Sequence, residues 1–440
     1  MSHYKPYPAY RDSGVEWIGE VPEHWGVKRL RHVALFKNSN VDKKTYDEQE
    51  PVNLCNYTDV YYNEFIKPDL PFMQATASAA EIEQFSLRKG DVLITKDSED
   101  PSDIGIPSLV AEEMPGVVCG YHLTIVRGDD FDTARLLHRI FQSHPTQAHF
   151  FVEAPGITRY GLSQDAIGDL RCCLPPRKER SQIAIRLDRE TARIDALIAK
   201  KTRFIELLKE KRSALITHAV TKGLDPKVKK KDSGVEWIGD VPEYWEVKPL
   251  FSLAVELNRK NIGMAETNIL SLSYGRIIPK PESKNLGLVP ESYETYQIVE
   301  PGEIVFRFTD LQNDKRSLRS AQVAERGIIT SAYMAVKPVG IDSSYFAWLM
   351  RAYDHLKVYY AMGGGLRQSL KFDDVRRMPV LLPSIQEQKN IVRILETQLG
   401  WVDQLAEKTQ RSIDLLKERR AALITAAVTG QIDLREEATA

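Results

Sequence analysis

The side chains best suited to chemistry in this chain gather in polar loops. The richest run is Arg307-Phe-Thr-Asp310-Leu-Gln312-Asn313-Asp314-Lys315-Arg316-Ser-Leu-Arg319, which follows an apolar segment with the look of a strand. A glycine-rich stretch further on adds Arg367, Gln368 and Lys371. In the first half of the chain the corresponding places hold Lys96 and Ser98, and the loop Thr158, Arg159, Tyr160 and Ser163. Arg or Lys paired with guanine, and Asn or Gln paired with adenine, read base edges in the major groove. These are the residue types such a reader needs. The plain alternative is a set of solvated charged loops. Catalytic signatures are not found: no GxxxxGK[ST], no GxGxxG after a strand, no HExxH, no paired CxxC and no Asn-Pro-Pro-Tyr. The acidic group Asp97, Glu99, Asp100, Asp103 lacks a well-placed Lys and reads as a solvated turn rather than a nuclease metal site.

Two long helices must position these loops. Residues 174–225 and 382–433 align without a gap, with Leu207-Leu208-Lys209-Glu210 matching Leu415-Leu416-Lys417-Glu418. From Arg177 to Lys222 there is no Pro and no Gly. Pro175 and Pro176 precede the run, where a missing N–H is harmless, and Gly223 follows it, where a left-handed cap is easiest. Ser384 and Glu387 form a capping-box pattern at the second start. Leu187, Thr191, Ile194, Ile198, Lys201, Ile205, Leu208, Arg212, Leu215 and Ala219 keep a four-three spacing. Leu395, Leu399, Val402, Ala406, Thr409, Ile413, Leu416, Arg420, Leu423 and Ala427 repeat it. That spacing predicts a coiled-coil seam, each copy pairing with the other. At about 1.5 Å per residue, each helix makes a rod of roughly 65 Å. Arg212 and Arg420 fall at equivalent seam positions, where they either snorkel at the edge or set register.

A second repeat frames the rest. Residues 12–30 read DSGVEWIGEVPEHWGVKRL and residues 232–250 read DSGVEWIGDVPEYWEVKPL, identical at 15 of 19 positions. Trp17/Trp237, Trp25/Trp245 and Pro22/Pro242 predict two short arms pinned onto two domains. Between arm and helix, about 31–173 and 251–381, the copies diverge and look strand-rich. Strands are predicted at 91–95, 116–126, 302–308 and 327–336, and helices at 133–143 and 343–353. The chain reads domain–helix–domain–helix, a tandem duplication.

Composition narrows the class. With 440 residues, 42% of them hydrophobic, the chain should hold two or three domains. No apolar run is long enough to span a membrane and MSHYKPYPAY lacks a signal-peptide core, so the expected location is cytoplasmic. Cys55, Cys119, Cys172 and Cys173 lack metal-ligand spacing and suit a reducing compartment. The formal charge of −1 hides a segment, 174–231, at roughly +10, while the globular parts are not basic. That argues against a non-specific nucleic-acid coat and for contacts on a local face.

Together the DSGVEWIGxVPExW arms, the Leu-Pro lead-in to both helices and the ALITxAVT helix ends resemble the specificity (S) subunits of type I restriction-modification systems, over essentially the whole chain. The resemblance implies an α+β chain: two mixed, strand-rich target recognition domains separated by two long α-helices that pair as an antiparallel coiled coil, a pseudo-two-fold tandem repeat. The expected division is domain 1 with its arm at 1–173, helix at 174–225, linker and domain 2 at 226–381, helix at 382–433 and tail at 434–440. It implies that each domain reads one half of a bipartite double-stranded DNA target. The helices would act as a ruler and, through the seam residues Leu187, Ile194, Ile198, Ile205, Leu208, Leu215, Leu395, Val402, Ile413, Leu416 and Leu423, dock two methyltransferase (M) subunits, which two restriction (R) subunits can join. The chain would carry no catalytic site, metal or cofactor; S-adenosylmethionine, ATP and Mg belong to the partners. The competing expectation is a coiled-coil adaptor whose domains bind protein.

Overall fold

The computed structural model describes residues 4–280, 292–311, 314, 317–362 and 369–435. The two expected helices run Arg177–Lys222 and Ile385–Val428. Gly223 (φ 76°) ends the first and Gly430 (φ 75°) follows the second, both in the left-handed region that a side chain would strain. Ser384 caps the second start by accepting the Glu387 N–H at 3.3 Å. The seam positions are all buried or half-buried along both helices, as the spacing requires.

The chain forms two compact units, Met1–Lys201 with Arg411–Ala440, and Thr202–Gln410. Part of each long helix thus belongs to each unit. In the first unit, Ile183, Leu187 and Ile194 of the first helix share a core with Leu423, Ile424 and Ala427 of the second. In the second unit, Ile216, Ala219 and Val220 share a core with Ile391, Leu395 and Leu399. Within each unit the paired segments run antiparallel.

The first unit carries a five-stranded sheet in the order Leu35–Asn38, Leu123–Arg127, Asp91–Thr95, Pro107–Val110, Phe65–Ile66, and a three-stranded one in the order Val117–Cys119, Glu50–Cys55, Met73–Ala77. The second unit carries a four-stranded sheet in the order Ala254–Leu257, Met334–Pro338, Ile304–Phe306, Ser320–Gln322, with hairpin Leu270–Ser273/Arg276–Pro279 and pair Gln297–Val299/Gly327–Ile329 beside it. The single strands expected at 116–126 and 327–336 are each two strands. The chain leaves one sheet and joins another at Gly120-Tyr121-His122, and again at 330–333. The helices Phe131–Phe141 and Ser343–His355 stand where predicted, each opened by an aspartate, Asp130 or Asp342, that accepts an N–H three residues on.

The arms pack where helix ends meet. Trp25 and Trp245 are fully buried. The indole N–H of Trp25 donates to Glu179 at 2.9 Å, and that of Trp245 to Glu387 at 3.2 Å. Each glutamate stands in the first turn of a long helix, so each arm is tied to a helix start. The same arms cover the helix ends: a Cβ on Gly430 would meet Pro22, and one on Gly223 would rest on Trp245. Trp17 is half exposed and stacks on His149, whereas Trp237 packs edge-on against Tyr353. Among the described residues, no helix is long and apolar enough to cross a membrane.

Candidate nucleic-acid interface

In both units the polar strand exit and the glycine-rich loop are hydrogen-bonded neighbours. Leu162 N–H donates to the Lys96 carbonyl at 2.8 Å in the first unit. Leu370 N–H donates to the Phe308 carbonyl at 3.1 Å in the second. Two stretches far apart in sequence thus form one surface, built the same way twice with different side chains.

In the first unit, Asp97–Ser98 pairs antiparallel with Tyr160–Gly161. This unites Lys96, Ser98, Arg159 and Tyr160, with exposed Thr158 adjoining. Arg159 is about half exposed and donates to Asp97 at 2.6 Å. The bond to Asp97 holds its guanidinium above the usual range. His122 lies 2.5 Å from the same carboxylate; burial lowers its pKa against the pull of Asp97. Asp97 therefore orients a cation and an imidazole together, and is not a solvated turn residue. Asp100 caps its own turn at Ser102, and Asp103 accepts the Tyr61 hydroxyl at 2.9 Å. Tyr57 stacks on Tyr61 and reaches Ser98 Oγ at 3.4 Å, while Tyr62 beside them is 76% exposed. Two predicted residues are turned to other tasks. Lys96 sends its ammonium inward to the Ser39 carbonyl, and Ser163 caps the short helix Gln164–Asp169. Tyr57, Tyr61 and His122 were missed from sequence because their strands and helix reach this surface only through tertiary contacts.

In the second unit, Arg307 stands at the strand exit, half-buried, with no ion pair or side-chain hydrogen bond among the described residues. Asp310 is exposed in a left-handed turn (φ 56°). Lys371 is exposed and precedes the short helix Phe372–Val375. Gln312, Asn313, Arg316, Arg367 and Gln368 lie outside the described residues. Arg319 is a correction. It is fully buried, and its guanidinium donates to the carbonyls of Thr309 (3.0 Å), Asp310 (3.3 Å) and Asp314 and to the Tyr360 hydroxyl (3.3 Å). It ties the loop from within and has no face left for a base.

The long helices answer the question posed by Arg212 and Arg420. Arg420 bonds Asp195 at 2.9 and 3.1 Å and also bridges to Glu64. Arg212 bonds Asp403 at 3.1 Å. The arginines are 208 residues apart and so are the aspartates, so one interhelical ion pair is made twice. That fixes register rather than snorkelling. The seam residues Leu187, Ile194, Leu208, Leu395, Ile413 and Leu423 are buried within their units, and Ile198, Ile205, Leu215, Val402 and Leu416 are half-buried. The seam holds the helices to each other, and the buried members offer a partner no surface. Exposed apolar residues on the long helices include the repeat-related pairs Leu197/Leu405 (42% and 43%) and Leu207/Leu415 (46% and 64%), along with Ile185, Phe204, Ile385 and Trp401.

No protein-family model matches the chain. A curated chain named as the specificity subunit of the type I restriction enzyme MjaX, from Methanocaldococcus jannaschii, is 22% identical over 442 residues, spanning 95% of this chain and 96% of its own length. A chain from a solved structure on complex assembly and conformational transition of the type I R-M system superposes with a TM-score of 0.62 at 14% identity, covering 94% of this chain and 99% of that one. The HsdS subunit from Thermoanaerobacter tengcongensis gives a TM-score of 0.50 at 14% identity, covering 94% and 98%. Over nearly its whole length the chain thus has the fold of these type I restriction-modification chains.

Proposed function

We propose that the chain is the DNA sequence-recognition subunit of a type I restriction-modification complex. Each divergent domain reads one half of a bipartite double-stranded target, and the paired helices set the gap between the halves. The observation that carries this reading is a contrast between parts. The arm and helix contacts repeat residue for residue, Trp25–Glu179 with Trp245–Glu387 and Arg420–Asp195 with Arg212–Asp403. The loop surfaces do not: one domain carries Asp97, His122 and Arg159 there, the other Arg307, Asp310 and Lys371. A repeated frame under unlike surfaces suits two identical partners and two unlike half-sites. A protein-binding adaptor would not need its sister surfaces to differ.

In this reading Leu197/Leu405 and Leu207/Leu415 give two equivalent docking faces to two methyltransferase subunits, and two restriction subunits join that assembly. S-adenosylmethionine, ATP and Mg act on those partners, and this chain transfers no methyl group itself. In the first domain Arg159 is the leading base-contacting residue, held in direction by Asp97, with Tyr57, Tyr61 and Tyr62 offering aromatic faces. In the second it is Arg307, with Asp310, Lys371 and the neighbouring Gln312, Asn313, Arg316, Arg367 and Gln368. The test is binding of the methyltransferase-bound chain to its methylation target. Arg159→Ala or Arg307→Ala should each cost about 1–3 kcal/mol, roughly 5- to 150-fold in affinity, and relax one position in one half-site. The complex itself should stay intact by gel filtration. Unchanged affinity and specificity would remove these residues from the interface.

A further inference from the structure

The two units carry matched arginines with unmatched surroundings. In the first, Arg139 on the helix Phe131–Phe141 is buried and fully compensated. It donates to Glu64 at 2.5 Å, to Asp188 at 2.7 Å and to Thr191 at 3.1 Å. The second oxygen of Glu64 takes Arg420. One carboxylate therefore sits between two arginines, one from the domain and one from a long helix.

In the second unit Arg351 holds the position of Arg139, at the same distance from its capping aspartate, and Arg212 holds that of Arg420. Among the described residues, no carboxylate forms an ion pair with both: Arg212 pairs with Asp403 alone. Arg351 is 8% exposed and gives its Nη2 to two neutral carbonyls, Gly275 and Ser320, each at 2.6 Å. Its Nε is buried without a hydrogen-bond partner. Glu396, at the position of Asp188, forms no ion pair with it among the described residues. Asp354 on the same helix turns an oxygen to the Arg319 backbone N–H instead. A third arginine, Arg276, lines the same cleft, and its guanidinium has no ion pair or hydrogen bond among the described residues. Burial lowers the Arg351 pKa, and Arg212 and Arg276 add to that against the opposing pull of Asp354.

The cleft has a volume of about 960 Å³, with Trp348 and Ile277 on its walls and Glu396 and Asp403 at the helix side. Asp403 is already engaged by Arg212. Gathering three guanidinium groups, Arg351 buried, Arg212 half-buried and Arg276 exposed, around one cleft is unfavourable unless an anion sits among them. A planar guanidinium matches the paired oxygens of a carboxylate or phosphate. We propose that this cleft is an anion site that takes a carboxylate or phosphate group from outside the chain, in the place that Glu64 fills in the first unit.

The test is thermal unfolding of the full chain, titrated separately with sodium phosphate and sodium succinate against sodium chloride at equal ionic strength. The proposal predicts a saturable rise in Tm over chloride with at least one of the two. Phosphate alone active identifies a phosphate ligand, succinate alone a carboxylate ligand, and both a site for either. Arg276→Glu should supply the missing carboxylate internally, melt above the parent protein without added anion, and raise the apparent Kd for the active anion at least tenfold. Should that variant fail to fold, Arg276→Ser must still raise the Kd. Glu64→Gln should open the sister position and add a second saturable increment. No excess over chloride with either anion, or an increment that survives both Arg276 substitutions, would overturn the proposal.

Discussion

The repeated interhelical ion pair offers an experiment with an internal control. Arg420→Met and Arg212→Met make the same change at positions related by the repeat. The environments differ. The Arg420 side chain is 18% exposed and serves two carboxylates, Glu64 (26%) and Asp195 (44%). Arg212 is 26% exposed and serves Asp403 alone, itself 49% exposed. Exposed pairs contribute about 0.2–1 kcal/mol, whereas stripping a partner from a buried pair costs about 3–5 kcal/mol. Arg420 lies between these limits, because its removal leaves Glu64 facing Arg139 with one oxygen uncompensated. Its loss should cost about 2 kcal/mol and that of Arg212 about 0.5–1 kcal/mol. Urea unfolding in phosphate-free buffer, followed by far-ultraviolet circular dichroism, gives the midpoints. Adding Asp195→Asn and Asp403→Asn completes two double-mutant cycles, whose coupling terms isolate the pairs. Equal losses, or a larger one at Arg212, would refute the argument that burial and the second carboxylate decide the difference.

Two further outcomes follow from the second unit. Arg319→Lys should lower thermal stability and DNA binding together, because an ammonium cannot span the carbonyls that the guanidinium ties, whereas Arg307→Ala should weaken binding with little change in Tm. His355 is held down to about 4, by burial first and then by Arg351, Arg212 and Lys357. The folded chain keeps this imidazole neutral while the unfolded chain protonates it near 6.5. Its contribution to stability is thus complete above pH 6.5 and is lost as pH falls toward 4. His355→Gln should flatten the fall in Tm across that window; an unchanged slope would show that other groups carry it.

What was legible in the sequence was whatever repeats or has a period. The four-three spacing located both seams, Gly223 marked a helix end, and the doubled DSGVEWIG segment located both arms and the buried Trp25 and Trp245. The ungapped alignment even paired Arg212 with Arg420, although the partner aspartates became visible only when the helices were antiparallel. Residues whose role depends on burial were not legible. Arg319 and Arg307 sit in one polar loop and look alike in sequence, yet one is interior and one is at the surface. Glu64, His122 and Tyr57 reach their partners across sheets. The two compact units were not legible for a related reason: a long helix looks like one object in sequence, but each half packs on a different core. The seam leucines were natural docking candidates by hydrophobicity until their burial showed that they serve each other.

The most direct test of the account is a methylome. The chain is co-expressed with its methyltransferase subunit in a host free of DNA methylation, and modified bases are mapped by single-molecule sequencing. The account predicts a split motif, two short defined halves around a fixed unspecified gap, with the half assigned to the first domain altered by Arg159→Ala and the other by Arg307→Ala. A continuous, undivided motif, or no new methylation from a complex shown to be intact, would contradict it.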